Sequence, residues 1–146
     1  MDDIYNNRIL EFAGNIPLTG AMPDADATSQ KHSKLCGSKV KVYIKLQDGV
    51  VTDFSHEVRA CALGQASSSI MARNVVGATS VEIRQARQDM VEMLTSGGEG
   101  PTGRFEDMRV LKPVKDYKAR HASTLLTFDA ICDCLDQIEA KQPLPA

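Results

Sequence analysis

Lys39-Val40-Lys41-Val42-Tyr43-Ile44-Lys45-Leu46-Gln47-Asp48-Gly49 is the stretch whose reading decides the fold. Val40, Val42, Ile44 and Leu46 alternate with Lys39, Lys41, Tyr43 and Lys45, a period of two that predicts a strand with one buried face. Gln47-Asp48-Gly49 turns the chain, and Val50, Phe54 and Val58 continue on a return strand with mostly polar residues between them. The segment therefore predicts an antiparallel hairpin. A cysteine stands at each end of it: Cys36 in Leu35-Cys36-Gly37-Ser38, and Cys61 in Arg59-Ala60-Cys61-Ala62-Leu63-Gly64-Gln65. The hairpin can bring both thiols to one end of the sheet, which would make half of a metal or cluster site.

Working outward, the spacing changes from two to three and four. Over 62–76 Leu63, Ala66, Ile70, Met71 and Val75 predict a helix, with Gly77 where it should end. Thr79 and Glu82 form a capping box for the next helix, lined by Ile83, Ala86, Met90, Met93 and Leu94. Gly97-Gly98-Glu99-Gly100-Pro101-Thr102-Gly103 breaks it; without a Gly-Lys-Ser/Thr ending or a preceding strand, it reads as a flexible connector and not a phosphate cradle. A short helix through Phe105, Met108 and Leu111 ends at Lys112-Pro113, and a last helix over about 123–139 carries Leu125, Phe128, Ile131, Leu135 and Ile138. Upstream, Asp2 or Asp3 caps a first helix stopped by Gly14 and Pro17. About 15–34 reads as a flexible loop and 140–146 as a loose tail. The expected fold class is α+β: a small antiparallel sheet, the hairpin with room for a third strand, covered on one face by helices in a single domain over 1–146.

Length and composition limit the function. A chain of 146 residues, 42% hydrophobic, fills about one domain with a modest core. Seventeen basic and 19 acidic residues leave a net charge of −2, no footprint for nucleic acid. No apolar run spans a membrane, and Met1-Asp2-Asp3 lacks a signal peptide's basic and apolar regions, so a cytoplasmic protein is expected. Four cysteines are too few for a disulfide scaffold in a chain this long; in a reducing compartment they read as free thiols, ligands or nucleophiles.

Among those thiols, Cys36 is followed by Gly37, which permits a tight turn and leaves the sulfur uncrowded. Cys61 stands at the expected start of a helix, where unpaired amides and the helix dipole favour a thiolate. For Cys61, packing at a strand-to-helix junction remains the competing explanation. Cys132 and Cys134 are two apart on a helix, point to different faces and read as packing residues. His32 and His56 read as solvated. His121, at the entrance to the last helix, could turn toward a site at the sheet end, although its spacing alone reads as a surface histidine.

These motifs resemble the IscU/NifU-type (SufU-like) iron–sulfur cluster assembly scaffolds. The family's Cys-Gly-Asp before an alternating strand is matched by Cys36-Gly37-Ser38, and its cysteine before an Ala-Ser-x-Ser helix by Cys61 through Ala66-Ser67-Ser68-Ser69. Its tail is matched by Arg104-Phe105, Val110-Leu111, Val114-Lys115-Asp116-Tyr117 and Ala119-Arg120. Ser38 stands where the family has an aspartate, and Ser123 (or Ala122, if the gap falls differently) where it has a third cysteine. Serine is a poor ligand for zinc or iron, so the resemblance implies Cys36 and Cys61 as cofactor-binding thiolates, with His121 as a further metal ligand.

The resemblance implies a scaffold or carrier, not an enzyme. It would hold a transient iron–sulfur cluster, iron or zinc and hand it to recipient apo-proteins, with a cysteine desulfurase as partner and a cluster-bridged homodimer chemically open. The alternative is a SufE-like sulfur acceptor, or regulatory partner of a desulfurase, acting through Cys36. Neither nucleic acid nor a membrane is an expected partner.

Overall fold

The structure is a computed structural model that describes residues 6–34 and 37–141, so Cys36 lies outside the described residues. Strands β1 (Ala27–His32), β2 (Lys39–Gln47) and β3 (Val50–Arg59) form one antiparallel sheet in the order β1-β2-β3. Helices α1 (Asn7–Gly14), α2 (Ala62–Asn74), α3 (Ser80–Ser96) and α4 (His121–Lys141) join it, with a 3₁₀ stretch over Gly103–Asp116 between α3 and α4. The α+β class expected from the spacing is the class found.

The β2–β3 hairpin forms at the expected turn. Asp48 and Gly49 both have positive φ, 53° and 77°, the backbone of a primed two-residue turn whose twist matches the strands. Val40, Val42 and Ile44 are fully buried on its inner face. Lys45 pairs with Asp53 but Leu46 pairs with Val51, so Thr52 is an extra residue, a bulge that shifts the phase of β3. Val51 is therefore the buried residue near the turn, in place of the expected Val50, and beyond the bulge Phe54 and His56 face the core.

The expected loop at 15–34 carries the third strand. Ala27–His32 has one apolar residue and no hydrophobic alternation, so its sequence could not announce it; it is a strand because β2 offers an open edge, with Ala27 opposite Ile44 and His32 opposite Lys39. The Gln137 side chain of α4 also donates to the Thr28 carbonyl. Farther upstream the segment straps the other edge: His56 N–H donates to Leu18 O and Gly20 N–H to His56 O, so β3 is not left open to foreign strands.

Helix α4 packs on β1, β2, α2 and α3, and α2 on α1 and β3. Phe128, Ile131 and Leu135 of α4 and Leu63, Ile70 and Met71 of α2 are fully buried. Each large apolar side chain so buried contributes about 1.5–3 kcal/mol before its ordering entropy. Cap positions follow local chemistry. Thr79 and Glu82 exchange both capping-box hydrogen bonds, and Gly97, in the left-handed region, ends α3. For α1 the cap is Asn6, whose side chain accepts from Ile9 N–H; Asp2 and Asp3 lie outside the described residues. The opposite face of the sheet carries Lys41, Lys45, Asp53 and Glu57, with Tyr43 held there by its hydroxyl on Glu57 and by Lys41 above its ring.

Candidate functional site

At the end of the hairpin away from its turn, three segments meet. Cys61 is the N-cap of α2 with an extended backbone, φ −65° and ψ 170°, which ends β3's path and starts the helix in one residue. Its side chain makes no capping bond, which leaves the sulfur directed elsewhere. Ser123 Oγ, from the first turn of α4, lies 3.1 Å from Cys61 Sγ. Ser38, just before β2, accepts from Cys61 N–H at 3.3 Å and stands 3.5 Å from Ser123 Oγ. Ser38 is 2% exposed and Ser123 1%, whereas Cys61 is half-buried, so the two buried hydroxyls form a floor beside a half-buried cysteine.

Gly64 makes this meeting sterically allowed. One turn along α2 from Cys61, a Cβ built at position 64 would lie 2.8 Å from Ala60 Cβ, 3.1 Å from Ser123 Oγ and 3.3 Å from Ser123 O. The missing side chain is what lets the start of α4 close on the start of α2. Ser67 Oγ then donates to Thr124 O at 2.7 Å, fastening the same two helices one turn farther on.

Ser33 meets both Gly37 and Ser38 through backbone hydrogen bonds. Ser33 N–H donates to Ser38 O and Gly37 N–H to Ser33 O, with Gly37 at φ 70°, a conformation that suits glycine. Cys36 is covalently two residues from Ser38, which touches Cys61.

The NifU-like N terminal domain family matches residues 4–124. The chain belongs to that family. A crystal structure of a nitrogen-fixing NifU-like protein (N-terminal) from Brucella abortus superposes with a TM-score of 0.95 at 65% identity, over 97% of this chain and 98% of that one. The iron-sulfur cluster assembly scaffold protein IscU of Thermotoga maritima is 27% identical over 92% of this chain and 94% of its own length. The zinc-dependent sulfurtransferase SufU of Bacillus subtilis is 22% identical over 90% and 88%.

Within this NifU-like domain the other expected candidates sit apart from Cys61. His121 is two positions before Ser123 on α4, about 200° around the helix. Its Nε2 lies 2.9 Å from Val114 O and 3.0 Å from Lys115 O, so it donates to the end of the 3₁₀ stretch. Among the described residues no group of three or more His, Cys, Asp or Glu side chains is placed to hold a metal ion. Cys134 is fully buried with its sulfur toward Val42 O, and burial pushes its thiol up to about 12; Cys132 is pushed up to about 11 for the same reason. Both behave as packing residues.

His56, expected to be solvated, is 0% exposed: the Thr52 bulge turns it inward, where Nε2–H donates to Pro17 O and burial pushes its pKa down. Sequence reading passed over Gly64 and treated Ser38 and Ser123 only as lost ligands. A glycine one turn into a helix that starts at a cysteine was the available signal for close approach.

Proposed function

We propose that this NifU-like domain is an iron–sulfur cluster assembly scaffold. It would receive iron, zinc or a nascent cluster as cargo on the Cys36 and Cys61 thiolates and pass it to apo-proteins. The observation that carries this reading is half-buried Cys61 against a buried hydroxyl floor of Ser123 and Ser38, with Ser38 two positions along the chain from Cys36. Family membership and the scaffold name of the Thermotoga relative support it. The donor chemistry fits transient cargo: thiolate suits zinc and iron–sulfur clusters, and two thiolates leave coordination positions for sulfide, water or a donor from a partner. A cysteine desulfurase as sulfur source, recipient apo-proteins and a second copy of the chain are the partners this reading requires.

Anaerobic reconstitution with iron and sulfide tests it. Thiolate-to-iron absorption should develop in the wild type and be lost in Cys36→Ala and Cys61→Ala; no absorption in the wild type overturns the proposal. His121 belongs to the ligand set only if its ring leaves the Val114 and Lys115 carbonyls. Zinc analysis of His121→Ala decides this: wild-type content leaves the two cysteines as this chain's ligands, and a loss restores His121.

The sulfurtransferase name of the Bacillus relative favours a second reading, sulfur acceptance from a cysteine desulfurase through Cys36. It needs Cys36 but not Cys61. A persulfide on Cys36 after incubation with desulfurase and cysteine, detected by mass spectrometry also in Cys61→Ala, would support it; an unmodified Cys36 would refute it.

A further inference from the structure

We propose that Ser123, steadied by Ser38, is a positioning residue for Cys61, its hydroxyl donating a hydrogen bond to the Cys61 sulfur. The inference rests on the scaffold reading and says how the chain's own groups set one of its thiols. Three contacts close a ring on a single residue: Cys61 N–H to Ser38 Oγ at 3.3 Å, Ser38 Oγ to Ser123 Oγ at 3.5 Å, and Ser123 Oγ to Cys61 Sγ at 3.1 Å. A ligating thiolate carries no proton and can only accept, so in the 3.1 Å contact the Ser123 hydroxyl is the donor to the sulfur. The middle link is long for a hydroxyl pair and the sulfur link is not, so Ser123 carries most of the effect.

The surroundings are built for this contact. Both hydroxyls are buried, so water does not compete for them, and Gly64 leaves the space that a Cβ 3.1 Å from Ser123 Oγ would close. A hydrogen bond to a ligating sulfur holds its direction and withdraws electron density from it. Partners of that kind tune affinity, and in iron–sulfur proteins the reduction potential, without touching the metal. Ser123 would thus bias Cys61 toward releasing its cargo.

Two measurements on Ser123→Ala test the inference, one with metal and one without. Titrated with cobalt(II), the variant should keep the thiolate-to-cobalt intensity per metal of the wild type, because no thiolate is lost. The band should move to longer wavelength and the metal should bind more tightly, as the sulfur becomes the better donor. In the metal-free protein, the Cys61 S–H stretching band, isolated as the infrared difference between wild type and Cys61→Ala, should move in Ser123→Ala. Ser38→Ala should shift both readouts less and in the same sense. An unmoved infrared band overturns the inference, as does a cobalt band lost in Ser123→Ala, which would make the serine a ligand. If no form binds cobalt, the scaffold reading fails and the infrared result alone decides the role of Ser123.

Discussion

Gly64 and His56 show how much one position carries in this small core. Replacing Gly64 by Ala improves helix propensity by up to about 1 kcal/mol, but the new methyl meets Ala60 Cβ and the Ser123 backbone, neither of which can swing aside. Overpacking of this kind costs about 1–3 kcal/mol, so the clash wins. Gly64→Ala should lower the urea unfolding midpoint and loosen the Ser123–Cys61 contact. His56 has its pKa depressed by burial, so the unfolded chain binds a proton that the folded chain refuses. Its contribution to stability is full above the unfolded value of about 6.5 and falls as pH drops below it, by up to about 1.4 kcal/mol per pH unit. Unfolding free energy should decline from pH 7 to pH 5, and His56→Phe should flatten that part of the profile; an unchanged slope would refute the assignment.

At the scale of elements, α2 and α4 divide the cysteines by chemistry. Cys61 is the half-buried N-cap of one helix, whereas Cys132, also half-buried, and Cys134, fully buried, lie within the other, their thiols held protonated at neutral pH by burial. In a Cys36→Ala background, iodoacetamide at pH 7 should modify Cys61 first, with Cys132 and Cys134 reacting only after unfolding; peptide mass mapping reads the order. The elements also differ in how openly their sequences declare them. The alternation of β2 and the capping box and apolar face of α3 are local patterns, and each formed where it was expected. Strand β1 has no such pattern, because its stability comes from the edge of β2 and from the side chain of Gln137.

For the whole molecule, the site is a product of assembly: Ser38, Cys61 and Ser123 come from a loop and two helices that meet only when α4 closes over the sheet. Cargo bound there is bound by the folded chain and not the unfolded one, so zinc should raise the thermal midpoint in proportion to the logarithm of its concentration. The rise should be absent in Cys61→Ala and larger in Ser123→Cys, which places a third thiol against Cys61. Equal midpoints with and without zinc in the wild type would argue against metal binding in this form.

By itself the sequence determined the hairpin and its turn, the capping box, the apolar stripes of three helices, and the two thiols flanking the hairpin. These are properties of neighbours within a turn or a strand pair, where period and propensity act. Only the tertiary structure decided β1, the Thr52 bulge that buries His56, the turning of His121 onto backbone carbonyls, and the ring that ties Ser38 and Ser123 to Cys61. The two serines are 85 residues apart in the chain and Ser123 is 62 from Cys61. No local pattern encodes such a contact; it depends on how closely two helices approach, and here that distance is set by the absent side chain of Gly64.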